Sequence, residues 1–328
     1  VLILTFKQKS NKKSCFTNDN TLKNYLWIIS MAITSTSKYF KFMATLIILF
    51  ASQTVFALSP KIVAHRAGTA DAPENTIYAI DLAKKNNADA IWLTVQLSKD
   101  NQLVLYRPSD LSSLTDHEGP VSKYNALQLN RINAAYKYNI KNNLQLPMQD
   151  TTISRLETIL KKYPDTTFYI DLKSPDADPN IQAQAILALL DKTNSFSRVR
   201  FYSTNDEFLK ALKSLSSKIS LFESRDETRT MLANIVMNHQ CSIENDKTTT
   251  RWYGFELHRK VEVVEKYTLG EARSPATLSW DKEAIDCFRK NGNAFIIVFG
   301  VNNDSDYQLA KEIGVDAVMV DSPKAFKK

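Results

Sequence analysis

His65 and Arg66 stand side by side at the end of a short apolar run, Lys61–Ala64. A histidine can move a proton near neutral pH, and an arginine fork matches the oxygens of a phosphate. Arg107 closes a second such run, LVLY. Asp171 and Lys173 close a third, and Glu256 a fourth. Together these residues offer one proton carrier, three fixed cations and scattered acids, a set that suits a phosphate or phosphodiester. Other chemistries find less support. Ser112 and Ser113 lack a GxSxG context, and neither GxGxxG nor GxxxxGK[ST] occurs, which counts against serine hydrolases and nucleotide-binding folds. His117, His239 and His258 show no metal-ligand spacing and read as ordinary surface or core histidines.

The elements that must position these residues alternate. Strands are expected at Lys61–Ala64, Ala90–Leu97, Leu103–Tyr106, Thr167–Leu172, Val199–Ser203, Ile219–Phe222, Gly254–Leu257, Ala294–Phe299 and Ala317–Val320. Helices are expected at Asn75–Ala88, Ser154–Lys162, Ile181–Leu190, Asp281–Lys290 and Tyr307–Ile313. Alternating strands and helices over about 270 residues predict a (β/α)8 TIM barrel of parallel strands. The Asn-, Thr- and Asp-rich stretch 226–252 reads as an insertion or long loop. In such a barrel chemistry gathers at strand C-terminal ends, which selects His65, Arg66, Trp92, Thr94, Gln96, Arg107, Asp171, Lys173 and Glu256.

The chain holds 328 residues with 44% hydrophobic and 23% charged side chains, ordinary for a globular protein. Its net charge of +7 is concentrated in the leader. Residues 1–57 carry seven lysines and one acid, whereas the remainder carries 35 basic and 34 acidic residues. A body so near neutrality gives no electrostatic reason to expect nucleic acid. From Met31 the leader shows Lys38 and Lys41, an apolar run Phe42–Ala51, then Val55-Phe56-Ala57. That order predicts a secretory signal cleaved after Ala57, with membrane contact only through that segment, and a periplasmic or secreted body of residues 58–328. The alternative is a retained anchor, although the apolar run is shorter than a span requires. Cys15 lies in the leader. Cys241 and Cys287 fit either one disulfide or two free thiols.

The segment from Ile62 to Ser122 contains His-Arg, then Pro-Glu-Asn-Thr at 73–76, then Ala-Asp before the strand AIWLTVQL. Near the end stand FGVNND at 299–304 and GVDAVMVDSP at 314–323. These motifs resemble the glycerophosphodiester phosphodiesterase family, whose pattern runs His-Arg-Gly, Pro-Glu-Asn-Thr, Glu-x-Asp, His-Asp, Glu-x-Lys and a final Gly-Val-Asp…Asp-x-Pro. The resemblance spans nearly all of 58–328. It implies a TIM barrel and metal-dependent cleavage of a glycerophosphodiester, with Mg²⁺ or Ca²⁺ held by three carboxylates and two histidines shuttling protons.

The departures fall on that chemistry. His65 keeps the first histidine position, with Arg66 beside it for phosphate. Trp92 replaces the Glu and Thr94 the Asp of Glu-x-Asp. Arg107 replaces the second histidine and cannot act as a base. Asp171 shortens the next Glu by a methylene, and Lys173 is kept. No acid lies between Ala90 and Ser98 to rescue the site by a slip of register. Alternation turns Ala90, Trp92, Thr94 and Gln96 into the barrel. Metal-dependent hydrolysis is therefore expected to be lost or severely reduced. The expected ligand is a small phosphoester or glycerophosphodiester contacted by His65, Arg66, Arg107 and Lys173. Asp171 is the only acidic metal candidate left. Glu74, Trp92, Thr94, Gln96 and Glu256 are expected to line the site. Plainer readings stand beside these: Trp92 as barrel filling, Asp171–Lys173 as an ion pair, Arg107 as a solvated side chain and Glu74 as a loop-shaping residue. The alternatives are a phosphoester-binding protein without turnover, a metal-free, arginine-assisted phosphodiesterase or lyase, and a barrel kept for protein contacts alone.

Overall fold

The structure, a computed structural model, describes residues 59–243, 248–290 and 292–326 and the backbone of Leu2 and Ile3. The expected signal segment and its cleavage after Ala57 lie outside the described residues. No helix among the described residues is long and apolar enough to cross a membrane.

Eight parallel strands form the barrel wall. They are β1 (Lys61–Ala64), β2 (Ala90–Leu97), β4 (Phe168–Leu172), β5 (Val199–Ser203), β6 (Ser220–Leu221), β7 (Arg251–Glu256), β10 (Ala294–Phe299) and β11 (Ala317–Val320). The order around the wall is β6-β5-β4-β2-β1-β11-β10-β7. No ladder joins β6 to β7, but the Glu223 N–H donates to the Trp252 carbonyl at 2.8 Å, nearly closing the seam. The expected TIM-type barrel is thus the fold.

Leu103–Leu105 (β3) corrects one expectation. It is no barrel strand but pairs antiparallel with β2, Val95 opposite Leu105 and Leu97 opposite Leu103. The reversal is local: Asn101 adopts a left-handed φ of 55°, its N–H donates to the Ser98 carbonyl, and Ser98 N–H donates to Gln102. The stretch 226–252 is a second correction. Its first half is the helix α5 (Arg225–Asn238), capped by Ser224, whose Oγ accepts from the Glu227 N–H. Thr228, Leu232, Ala233 and Ile235 are its buried residues, at helical spacing. The polar composition concealed that spacing. The added element lies later, where two ten-residue strands, β8 (His258–Tyr267) and β9 (Gly270–Ser279), pair as neighbours. Val264–Ala272 of this pair belongs to a second compact unit.

The period-two reading of β2 holds. Ile91, Leu93, Val95 and Leu97 pack in one cluster with α1 (Ile77–Lys85), α2 (Leu156–Lys162), α3 (Pro179–Thr193) and α4 (Asp206–Leu215), outside the wall. Ala90 and Trp92 belong to the interior cluster with Val63, Tyr169, Tyr202, Phe222, Ile297, Phe299 and Met319. That interior is an aromatic plug. Gly254 on β7 makes room for it: a Cβ there would meet the Phe299 ring at 2.6 Å.

Two further helices, α6 (Lys282–Arg289) and α7 (Asp304–Ile313), flank β10 in the chain. Cys241 and Cys287 form a disulfide, with Cα atoms 5.7 Å apart, between the loop after α5 and α6. Closing 46 residues of separation restricts the unfolded chain by about 4 kcal/mol in the chain-entropy treatment.

Candidate functional site

The mouth is built first from a turn that most residues avoid. Arg66, Ala67 and Gly68 take φ values of 46°, 68° and 100° in succession. Two of them carry a Cβ, so the backbone is strained. Ala67 stands where the family pattern has glycine. The turn is held by Gly68 and Thr69 N–H groups on the His65 carbonyl and by Ala70 N–H on the Asp321 carbonyl.

His65 lies in a dyad with Asp321 at the end of β11, Nδ1 to Oδ1 at 2.6 Å. Thr69 Oγ1 donates to the same oxygen at 2.9 Å, and Asn302 Nδ2 donates to Oδ2 at 2.8 Å. The hydrogen bond from His65 holds the Asp321 carboxyl down at about 2, against its burial. Asp321 is then an acceptor at neutral pH, so Nδ1 carries the proton and Nε2 is left for a ligand.

Each residue of Pro-Glu-Asn-Thr has a mechanical role. Glu74 Oε2 accepts from Arg66 NH1 at 2.6 Å. Asn75, at φ 58°, presents Oδ1 to the Thr94 N–H at 2.9 Å, while its own N–H donates to the Arg66 carbonyl. Thr76 caps α1: its Oγ1 accepts from Ala79 N–H and donates to the Pro73 carbonyl. Glu74 thus meets Arg66 at the mouth, an arrangement that fits both the loop-shaping and the site-lining expectation.

The opposite side of the mouth is different. Trp92 is 2% exposed, its ring centroid 5.1 Å from both Tyr202 and Phe299 and 5.6 Å from Phe222. Thr94, also buried, pairs in register with Asp171. Burial pushes the Asp171 carboxyl up to about 6, although Lys173, Arg66 and His65 pull it the other way. Lys173 Nζ stands 3.4 Å from Asp171 Oδ1 and 2.6 Å from Thr204 Oγ1.

Three expected residues have other employment or none. Gln96 does not line an open site: it is buried and its Nε2 donates to the Tyr106 and Pro108 carbonyls at 3.3 and 2.6 Å, fastening β2 to the exit of β3. Glu256 is gripped by Arg225, whose Nη2 donates to both Oε1 and Oε2 at 2.7 and 2.9 Å, and by Arg259 at 3.1 Å. Arg107 is exposed and makes no side-chain hydrogen bond or ion pair among the described residues. The remaining histidines are surface groups, His117 on Asp116, His239 on Glu283 and His258 on Ser279. Sequence reasoning passed over Asp321, Asn302, Thr69 and Asn75. The first two sit inside the terminal motifs; the adjacency of β11 and β1 brings Asp321 to His65, and that of β10 and β11 brings Asn302 to Asp321.

The divalent cation that the family pattern implies can be tested against these side chains. Such an ion needs several hard oxygen ligands. Trp92 offers none and Thr94 a neutral hydroxyl. Asp171 is the one carboxylate left among the three corresponding positions, and an ammonium already neighbours its unpartnered oxygen. Among the described residues no group of three or more His, Cys, Asp or Glu side chains gathers at one point. The donor set does not fit the ion.

The sequence signature of the glycerophosphoryl diester phosphodiesterase family matches residues 65–325. The chain belongs to this family. It is 42% identical to the uncharacterised protein Rv2277c of Mycobacterium tuberculosis, over 81% of this chain and 88% of that one. The crystal structure of that protein's glycerophosphoryl diester phosphodiesterase domain superposes with a TM-score of 0.73 at 40% identity, covering 82% of this chain and 98% of the other. A glycerophosphodiester phosphodiesterase of Bacillus subtilis is 23% identical over 81% of this chain and 85% of its own length. A phosphodiesterase of Oleispira antarctica, solved with the product sn-glycerol-3-phosphate, shares the fold at a TM-score of 0.56 and 18% identity, covering 82% and 96% of the two chains.

Proposed function

We propose that this family member binds a glycerol phosphate or glycerophosphodiester at the mouth and has lost most or all metal-dependent hydrolysis. One observation carries the reading: the Trp92 indole is buried in the plug at the position where the family pattern has its first carboxylate. Binding would use His65 Nε2 and the charges of Arg66 and Lys173. The Oleispira structure, which contains sn-glycerol-3-phosphate, supports that ligand class. The leader and the Cys241–Cys287 disulfide support a secreted or periplasmic body.

The test has two arms. With Mg²⁺ or Ca²⁺, glycerophosphocholine turnover is expected to match that of the His65→Ala variant; turnover abolished by that substitution would overturn the reading. sn-Glycerol-3-phosphate is expected to raise the melting temperature of the wild type and not that of Arg66→Ala. A second reading rests on the unpartnered Arg107, a fixed cation free to meet a phosphoryl oxygen. It predicts turnover that persists in EDTA and disappears in Arg107→Ala.

A further inference from the structure

Between Gly119 and Gln149 the chain has four cations, Lys123, Arg131, Lys137 and Lys141, and no acid. The body as a whole is close to neutral, so this stretch is a local concentration of positive charge. The same 31 residues expose Leu127 by 68%, Tyr136 by 39%, Ile140 by 65%, Leu144 by 48% and Met148 by 45%. These are five of the nine large apolar side chains exposed among the described residues. Tyr136, Ile140, Leu144 and Met148 recur every fourth residue. The first two lie on a short helix, Tyr136–Asn142, that buries no residue of its own. Arg131, Lys137 and Lys141 are exposed among them.

The segment is fastened to the mouth. Tyr138 Oη donates to the Asp71 carbonyl at 3.2 Å, and Asp71 lies in the loop between His65 and Glu74. Ser122 bonds Asp176, just beyond Lys173. Ala134 N–H donates to the Thr151 carbonyl at 2.8 Å, which closes the segment at its base.

We infer that residues 119–149 are a docking surface for an anionic lipid bilayer, presented on the mouth rim. Separate apolar side chains interleaved with cations of one sign suit insertion among lipid headgroups. Exposed apolar side chains gathered in one segment mark an interaction site, and its four cations select an acidic surface, with the nearest acids in the chain, Asp116, Glu118 and Asp150, lying outside the segment at its two ends. The inference is independent of the phosphoester reading, because it requires no ligand in the mouth.

Hydrogen–deuterium exchange on the full chain tests it locally, so that lipid contact by the leader is read separately. Vesicles containing phosphatidylglycerol are expected to slow exchange across 127–149 at least threefold, and pure phosphatidylcholine vesicles to leave it unchanged. The double variant Ile140→Glu, Leu144→Glu is expected to lose the protection while keeping the wild-type melting temperature, since both side chains are exposed. Unchanged exchange across 127–149 in anionic vesicles would overturn the inference. So would concentration-dependent self-association in the absence of lipid that the double variant abolishes, which would assign the patch to a second copy.

Discussion

The two sides of the barrel mouth are constructed on different principles. On the β11–β1 side the holding is done by hydrogen bonds: Asn75 reaches across to the Thr94 N–H of β2, Thr76 caps α1, and the Asp321 carboxylate collects the side chains of His65, Thr69 and Asn302. On the β2–β4 side, side chains hold each other by ring packing, with Trp92 against four aromatic neighbours. The first side matches the family pattern nearly residue for residue, and the second departs from it. The contrast is physical. A residue that satisfies a buried amide cannot be exchanged without stranding that amide. A carboxylate whose task is to hold an ion can give way to an indole, provided that the ion is no longer required and the space is filled.

Removing the plug should break the comparison most severely. Trp92→Ala is expected to destabilise the fold by about 3–5 kcal/mol, since the vacated volume cannot be filled by the rings around it; urea denaturation measures this. If the loss is below about 1 kcal/mol, the indole is not structural filling. Next in size is Asp171. Its folded pKa of about 6 lies above the ordinary 3.8, so protonation favours the folded state. The associated stability is fully present below pH 4 and is lost as pH rises through 6. At one and a third kcal/mol per unit the difference is about 3 kcal/mol. Asp171→Asn should therefore raise stability at pH 8 by up to that amount, have little effect near pH 4, and flatten the profile between. A pH series of melting curves on both proteins decides it.

Much of this contrast was legible in the sequence because a strand's alternation is rigid. The bounds of β2, β5, β10 and β11 agree with the expected spans, and Trp92 faces the interior as the period requires. Gln96 shows where alternation stops being sufficient. It faces inward by parity, yet at the strand's end it meets the carbonyls of Tyr106 and Pro108 instead of an open mouth. The hairpin β8–β9 was missed because most of its residues are exposed on both faces, so no apolar rhythm announces it. Asp321 was hidden for another reason. Its partner His65 is 256 residues away, and only the β11–β1 ladder makes them neighbours.

The smallest expected effects separate the two sides most cleanly. Thr76→Ala removes the acceptor for the Ala79 N–H and the donor to Pro73, and should destabilise by about 1 kcal/mol, the usual worth of an N-cap. Arg107→Ala, on the substituted side, should change stability by less than about 0.5 kcal/mol, as for a surface side chain without partners. Both residues stand at positions of the family's pattern, so a difference between them reports what each side chain touches here and not its place in a motif. Equal losses in paired urea titrations would mean that Arg107 has a structural partner, and the division of the mouth into a welded side and a packed side would fail.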